Sequence, residues 1–121
     1  MASIITNFVK MQEQLRVYHW QTTSYSRHTA FGEAYSDLTD LIDSFMEIYM
    51  GKYGRVAIED GEKIDLYNLG ELGLNDYLTT VTDFLVQFSE TLDQNKDTDL
   101  LNLRDEMLAV INKLKYLLTL K

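Results

Sequence analysis

Apolar residues near the start of the chain recur at steps of three and four. Ile4, Ile5, Phe8, Met11, Leu15 and Tyr18 form one stripe, and Lys10, Glu13 and Arg16 lie off it. That is the period of a helix with one buried face. With Ser3 as the capping residue, the pattern predicts a first helix over residues 3–21. Residues 22–27 are polar and rich in hydroxyls, so a second helix restarts there. Phe31, Ala34, Tyr35, Leu38, Leu41, Ile42, Phe45, Ile48 and Tyr49 mark its buried side. Ser36, Asp37, Asp40, Asp43, Ser44 and Glu47 mostly take the other. This predicts a helix over 27–50, stopped by Gly51. The Gly51-Lys52-Tyr53-Gly54 run lacks the P-loop pattern and reads as a helix stop.

The period then breaks. Residues 51–73 contain Gly51, Gly54, Gly61, Gly70 and Gly73, and read as a long connection with a helical turn around residues 64–69. A third helix is expected over 75–94, with Tyr77, Leu78, Val81, Phe84, Leu85 and Phe88 buried and Asp76, Asp83, Glu90 and Asp93 solvated. A fourth is expected over 98–120, capped by Asp97 or Thr98, with Leu101, Met107, Leu108, Ile111 and Leu114 among its apolar residues. Short, long and short connections between four helices predict one all-α domain spanning residues 1–121. Its form is a four-helix bundle with a single crossover between the second and third helices. No proline interrupts the helices.

Composition narrows the function classes. The net charge of −8 and the scatter of the basic residues argue against neutralising phosphates, so DNA is not the expected partner. No apolar run approaches the roughly 20 residues that span a bilayer, so no membrane partner is expected. Residues 1–10 lack the charged and apolar regions of a secretory signal. A cytoplasmic protein that is not secreted is the expectation. With no cysteine, any metal must be held by nitrogen and oxygen.

The chain has two histidines, His19 and His28. Asp43 and Glu47 are four residues apart and stack on one helical face. His28 precedes Asp43 by fifteen residues, which on a helix leaves it about 60° away on the same side. Singly, each has an ordinary reading: a structural histidine, a first-turn surface histidine, two solvated carboxylates. Together, imidazoles with carboxylates suit iron, zinc or manganese. Asp43 and Glu47 in an interface would repel each other unless protonated or bound to a cation. Trp20, Tyr18, Tyr25, Tyr35 and Tyr49 read as core or interface aromatics.

His19-Trp20, His28 at the head of a helix, and Asp43 and Glu47 further along it resemble the Dps branch of the ferritin-like superfamily. The resemblance covers the first two helices and extends weakly, through the one-crossover layout, over the whole chain. It implies a ferritin-like bundle with a ferroxidase centre across a two-fold dimer interface. His19 and His28 would come from one subunit, Asp43 and Glu47 from another, with Trp20 as the adjacent aromatic. Implied with it are one or two iron ions (zinc or manganese being alternatives), iron oxidation by oxygen or peroxide, and storage of the ferric product. The assembly implied is a homo-oligomer, a dimer at least, with a shell of about twelve subunits as the larger form.

The run from His19 through Gly54 also resembles an uncharacterised Dps-like group of phages and other viruses, which would place the chain in a host cytoplasm or a virion. Three features depart from the Dps pattern. The link between the histidines is a few residues shorter. Gly32 stands where the family has an aspartate ligand, with Glu33 next to it as a stand-in. There is no lysine-rich tail. A second metal should therefore be weak and the ferroxidase degenerate. The alternative expectation is a non-catalytic structural or protein-interaction module of a phage or virus that kept the bundle.

Overall fold

Ser3 opens the first helix as expected: its hydroxyl accepts from the Thr6 N–H at 3.1 Å, satisfying one of the free amides of a helix start. In this computed structural model, which describes residues 3–120, four helices follow in order: α1 (Ile4–Gln21), α2 (Tyr25–Tyr53), α3 (Glu71–Ser89) and α4 (Thr98–Leu117). No strand occurs among the described residues. No helix among them is long and apolar enough to cross a membrane.

Three residues, Thr22 to Ser24, join α1 to α2, so the two are antiparallel neighbours. Ser24 caps α2 by accepting from the Arg27 N–H. Near the same end Arg27 pairs with Glu71 at the start of α3, 2.8 Å away. At the far end Lys52 and Tyr53 of α2 reach the turn between α3 and α4. The path is therefore up, down, a return along the crossover, down and up.

The crossover is extended where a helical turn was expected over residues 64–69. Side chains of α1 hold it open. The Thr6 hydroxyl donates to Glu62 at 2.6 Å. Gln14, 2% exposed, donates to the Tyr67 carbonyl at 2.7 Å and accepts from the Tyr67 N–H at 2.8 Å. Gln21 accepts from the Leu69 N–H and donates to Asn68. Gln14 and Gln21 are two turns apart on one face. An amide side chain offers a donor and an acceptor together, as a neighbouring strand would, and an extended segment on it satisfies its backbone without coiling. The segment from Glu62 to Leu69, at about 3.3 Å per residue, covers the same height as α1 from Thr6 to Gln21, at about 1.5 Å per residue.

Helix ends differ from the sequence expectation in instructive places. The second helix does not stop at Gly51. It runs to Tyr53 and ends on Gly54, whose φ of 87° suits glycine. α3 starts at Glu71 instead of residue 75 and passes through Gly73. It ends at Ser89 instead of residue 94, because aspartates take over the backbone there. The Asp93 carboxylate accepts from the Asn95 and Lys96 N–H groups, and Asp97 accepts from the Asp93 N–H. Such local bonds compete with the helical ladder. α4 ends at Leu117 rather than residue 120. Asp97 holds the N-cap position of α4 but makes no capping bond; its carboxylate serves the turn instead.

That carboxylate, 1% exposed, is the centre of a cluster at this end. Tyr53 donates its hydroxyl to Asp97 at 2.6 Å, and Lys52 donates to Asp97, to Asp99 and to the Lys96 carbonyl. The Tyr53 bond, followed by the Asp93 N–H, holds the Asp97 carboxyl below the usual aspartate range. The Lys52 hydrogen bond does the same for Asp99, and the bond to Asp99 raises Lys52. Hydrogen bonding to Asp97 raises Tyr53.

The core follows the stripes. Phe8, Leu15, Phe31, Leu38, Phe45, Met107 and Ile111 are each 2% exposed or less. Phe8 meets Phe45 and Phe84 edge-on at 5.3 and 5.6 Å, the orientation that the ring quadrupoles favour. Truncating one such side chain to alanine costs about 2–5 kcal/mol.

Candidate metal centre

The three-residue turn brings the last turn of α1 against the first turns of α2. His19 and His28 meet there. Their rings stack with centroids 3.8 Å apart and planes 19° from parallel. Each Nδ1–H donates to the other residue's backbone carbonyl: His19 to His28 at 2.7 Å, His28 to His19 at 2.8 Å. A carbonyl oxygen can only accept, so the neutral form of each ring carries its proton on Nδ1. The lone pair is left on Nε2 of each, and neither Nε2 has a hydrogen-bond partner among the described residues. A backbone carbonyl behind the far nitrogen is the usual support of a metal-binding imidazole.

Gly32 lies beneath the His19 ring. A Cβ at position 32 would stand 2.8 Å from Cε1 and 2.9 Å from Nδ1 of His19. Any larger residue there collides with the imidazole as placed. The short turn thus draws His19 over α2 at the point where a side chain at position 32 would project.

Glu33 is not brought to the histidines. It is exposed and faces α4, where Lys113 approaches it at 3.3 Å. Asp43 and Glu47 are both exposed on α2, one turn apart, with no ion-pair partner among the described residues. Fifteen residues at about 1.5 Å each place Asp43 about 22 Å along the helix from His28. Among the described residues of one chain, no group of three or more histidines and carboxylates is placed to hold a metal ion. One chain therefore offers two imidazoles at one place and two carboxylates at another.

The stack also constrains coordination. A metal binds in the plane of its imidazole, about 2.1 Å from nitrogen. Planes 19° apart at 3.8 Å spacing do not meet near that distance. In this arrangement a single ion could bind both rings only if one of them turned away.

The aromatics around the pair are largely outside the core. Trp20 is 67% exposed and Tyr25 84%. The Arg16 guanidinium lies 5.2 Å from the Trp20 ring centroid and 5.4 Å from that of Tyr35, while bonding Glu13. Tyr25 stacks on His28 at 6.5 Å. Tyr18 is buried, and Tyr35 and Tyr49 are partly buried.

Sequence reasoning missed Gln14 and the Asp97 cluster. A glutamine three residues after Met11, within the stripe Met11, Gln14, Leu15, Tyr18, is a polar residue on a buried face, which is itself a signal.

No solved structure matches the chain. A relative from Enterobacteria phage T4, an uncharacterized 14.6 kDa protein in the mobD-ri intergenic region, is 45% identical over 49 residues. That stretch is 38% of each of the two chains, so the match spans little more than a third of the relative. A family model matches residues 19–118, from the first histidine to the end of α4. The chain belongs to that family, DUF5856, a family of unknown function.

Proposed function

We propose that the chain is a Dps-like, ferritin-like metal-binding protein that works as a homo-oligomer. His19 and His28 of one subunit and Asp43 and Glu47 of a second hold divalent iron, with zinc or manganese as alternatives. The observation that carries this reading is the histidine pair: two imidazoles whose Nδ1 protons are engaged on carbonyls and whose Nε2 lone pairs are left for a ligand. The unpaired carboxylates of α2 support it, since a donor set split over about 22 Å becomes complete only between subunits. The exposed indole of Trp20 next to His19 gives such a contact an apolar anchor. The near-parallel rings favour two ions, each with one imidazole, and the absence of an aspartate at position 32 leaves one of them weakly held. Bound ferrous iron would be the substrate of oxidation, and its ferric product the cargo.

The test is elemental analysis of untreated protein, together with anaerobic titration of ferrous iron or cobalt. Wild type is expected to carry iron or zinc below one ion per site. His28→Ala and Glu47→Gln are expected to lose it, and the mass in solution to be that of a dimer or more. Full occupancy in His28→Ala would sink the assignment.

A second reading is favoured by the collision at Gly32, which leaves no room beside His19 for the aspartate of the Dps pattern. In it the chain is a non-catalytic assembly module of a phage, and a stable dimer that takes up no metal is the expected result.

A further inference from the structure

A cleft of about 510 Å³ opens between α1, α3 and the crossover. It shares no residue with the candidate metal centre. Tyr18 forms its floor. This side chain is 1% exposed, yet its hydroxyl has no hydrogen-bond partner among the described residues. Every wholly enclosed side-chain polar atom there does have one. The residual exposure of Tyr18 therefore falls on its hydroxyl, and the cleft is the space into which it opens. Buried phenols normally find a partner.

The walls are aromatic. Tyr77 packs edge-on to Tyr18 at 5.7 Å, and its own hydroxyl is spent on the Met11 carbonyl at 2.6 Å. Tyr67, fixed by Gln14, stands on the crossover side with the Lys10 ammonium 5.6 Å from its ring centroid. Lys10 and Asp76 both border the cleft, and neither forms an ion pair among the described residues. Gly73 also borders it, and a Cβ there would meet nothing within 4 Å. The volume lies in the range of small-molecule sites, which combine apolar walls with a few polar groups.

We propose that this cleft binds a small aromatic zwitterion of the amino-acid type. Its ring lies among the three tyrosines, with a polar ring atom on the Tyr18 hydroxyl. Its carboxylate faces Lys10 and its ammonium faces Asp76. The unpaired charges of opposite sign that border the cleft select a zwitterion over a simple anion or cation, because either of those is repelled by one of them.

The experiment is a two-dimensional amide NMR titration of the full chain with L-tryptophan. Indole-3-acetate, tryptamine and indole lack one or both charges and serve as comparison probes. Saturable shifts at Tyr67, Asn68 and Gly73 are expected with L-tryptophan, and binding roughly fivefold or more weaker with each comparison probe. Tyr18→Phe keeps the ring and removes the hydroxyl, and should weaken L-tryptophan roughly fivefold. Gly73→Leu fills the open space from within α3, where leucine also favours the helix, and should abolish the shifts. The proposal is overturned if L-tryptophan fails to saturate by about 10 mM. It is equally overturned if a comparison probe binds as well, or if Gly73→Leu binds unchanged.

Discussion

At one end of the bundle two imidazoles hold α1 to α2. At the other a lysine, a tyrosine and two aspartates hold α2 to the turn before α4. Both clasps use side-chain hydrogen bonds, but they leave different remainders. At the charged end Asp97 accepts from a phenol, an ammonium and a backbone N–H, so little capacity is left for anything else. At the histidine end each ring spends one nitrogen and keeps the other. A saturated cluster is a fastener; an unsaturated one is a fastener with donors to spare. That difference, more than the residue types, is why the metal reading belongs to the histidines.

Four experiments act on this comparison. Asp97→Ala should have the largest effect, since it strands Tyr53, Lys52 and the Asp93 N–H around a buried gap. A fall in Tm on the order of 10 °C is expected in a thermal melt; a change within error would mean that the cluster holds nothing. Acid should act on the same residues. Asp97 and Asp99 have folded-state values below their unfolded ones. Their contribution is therefore complete above the ordinary aspartate value of about 4, and is lost as pH falls through the lower folded values. Urea midpoints measured from pH 6 downwards should show this loss in wild type and much less of it in Asp97→Asn. Lys52 and Tyr53 are raised, so what they add persists up to about pH 10 and fades above it.

At the other end the effects on stability should be small. His28→Ala loses one exposed ring and should cost about 1 kcal/mol or less in urea unfolding, while removing metal uptake. A loss as large as that of Asp97→Ala would mean that the histidine pair is as structural as the charged cluster and would erase the contrast between the two ends. Gly32→Ala should be the mildest. The His19 ring must swing aside and lose a hydrogen bond worth about 1 kcal/mol, but alanine returns about as much in helix propensity. Nitrogen NMR of the imidazoles should show the His19 Nδ1–H bond lost while the melt hardly moves.

How far each end could be read in advance follows from the same physics. The helices and the single crossover rest on local periodicity, and the stripes through Phe8, Phe31 and Leu85 were legible. Gly51 misled because a glycine is only a permissive stop. The helix continues through it to put Lys52 and Tyr53 on partners 44 to 47 residues away in sequence. The acceptors that orient His19 and His28 are backbone carbonyls, which no letter of the sequence marks. The need for glycine at position 32 emerges only once the His19 ring is in place. Gln14 and Gln21 are easily passed over for the opposite reason: an amide is read as polar, and only its place on the buried stripe hints that Gln14 stands in for a missing strand.

The crossover bonded to α1 begins at Glu62, whereas the preceding stretch from Arg55 to Gly61 is almost wholly exposed and linked only by its own tight bend. A protease that cuts after Arg55 would sever the backbone without loosening either helical hairpin. The later fragment would still grip the earlier one through the two glutamines and the common core, so the nicked protein should travel as a single particle until denaturant parts it.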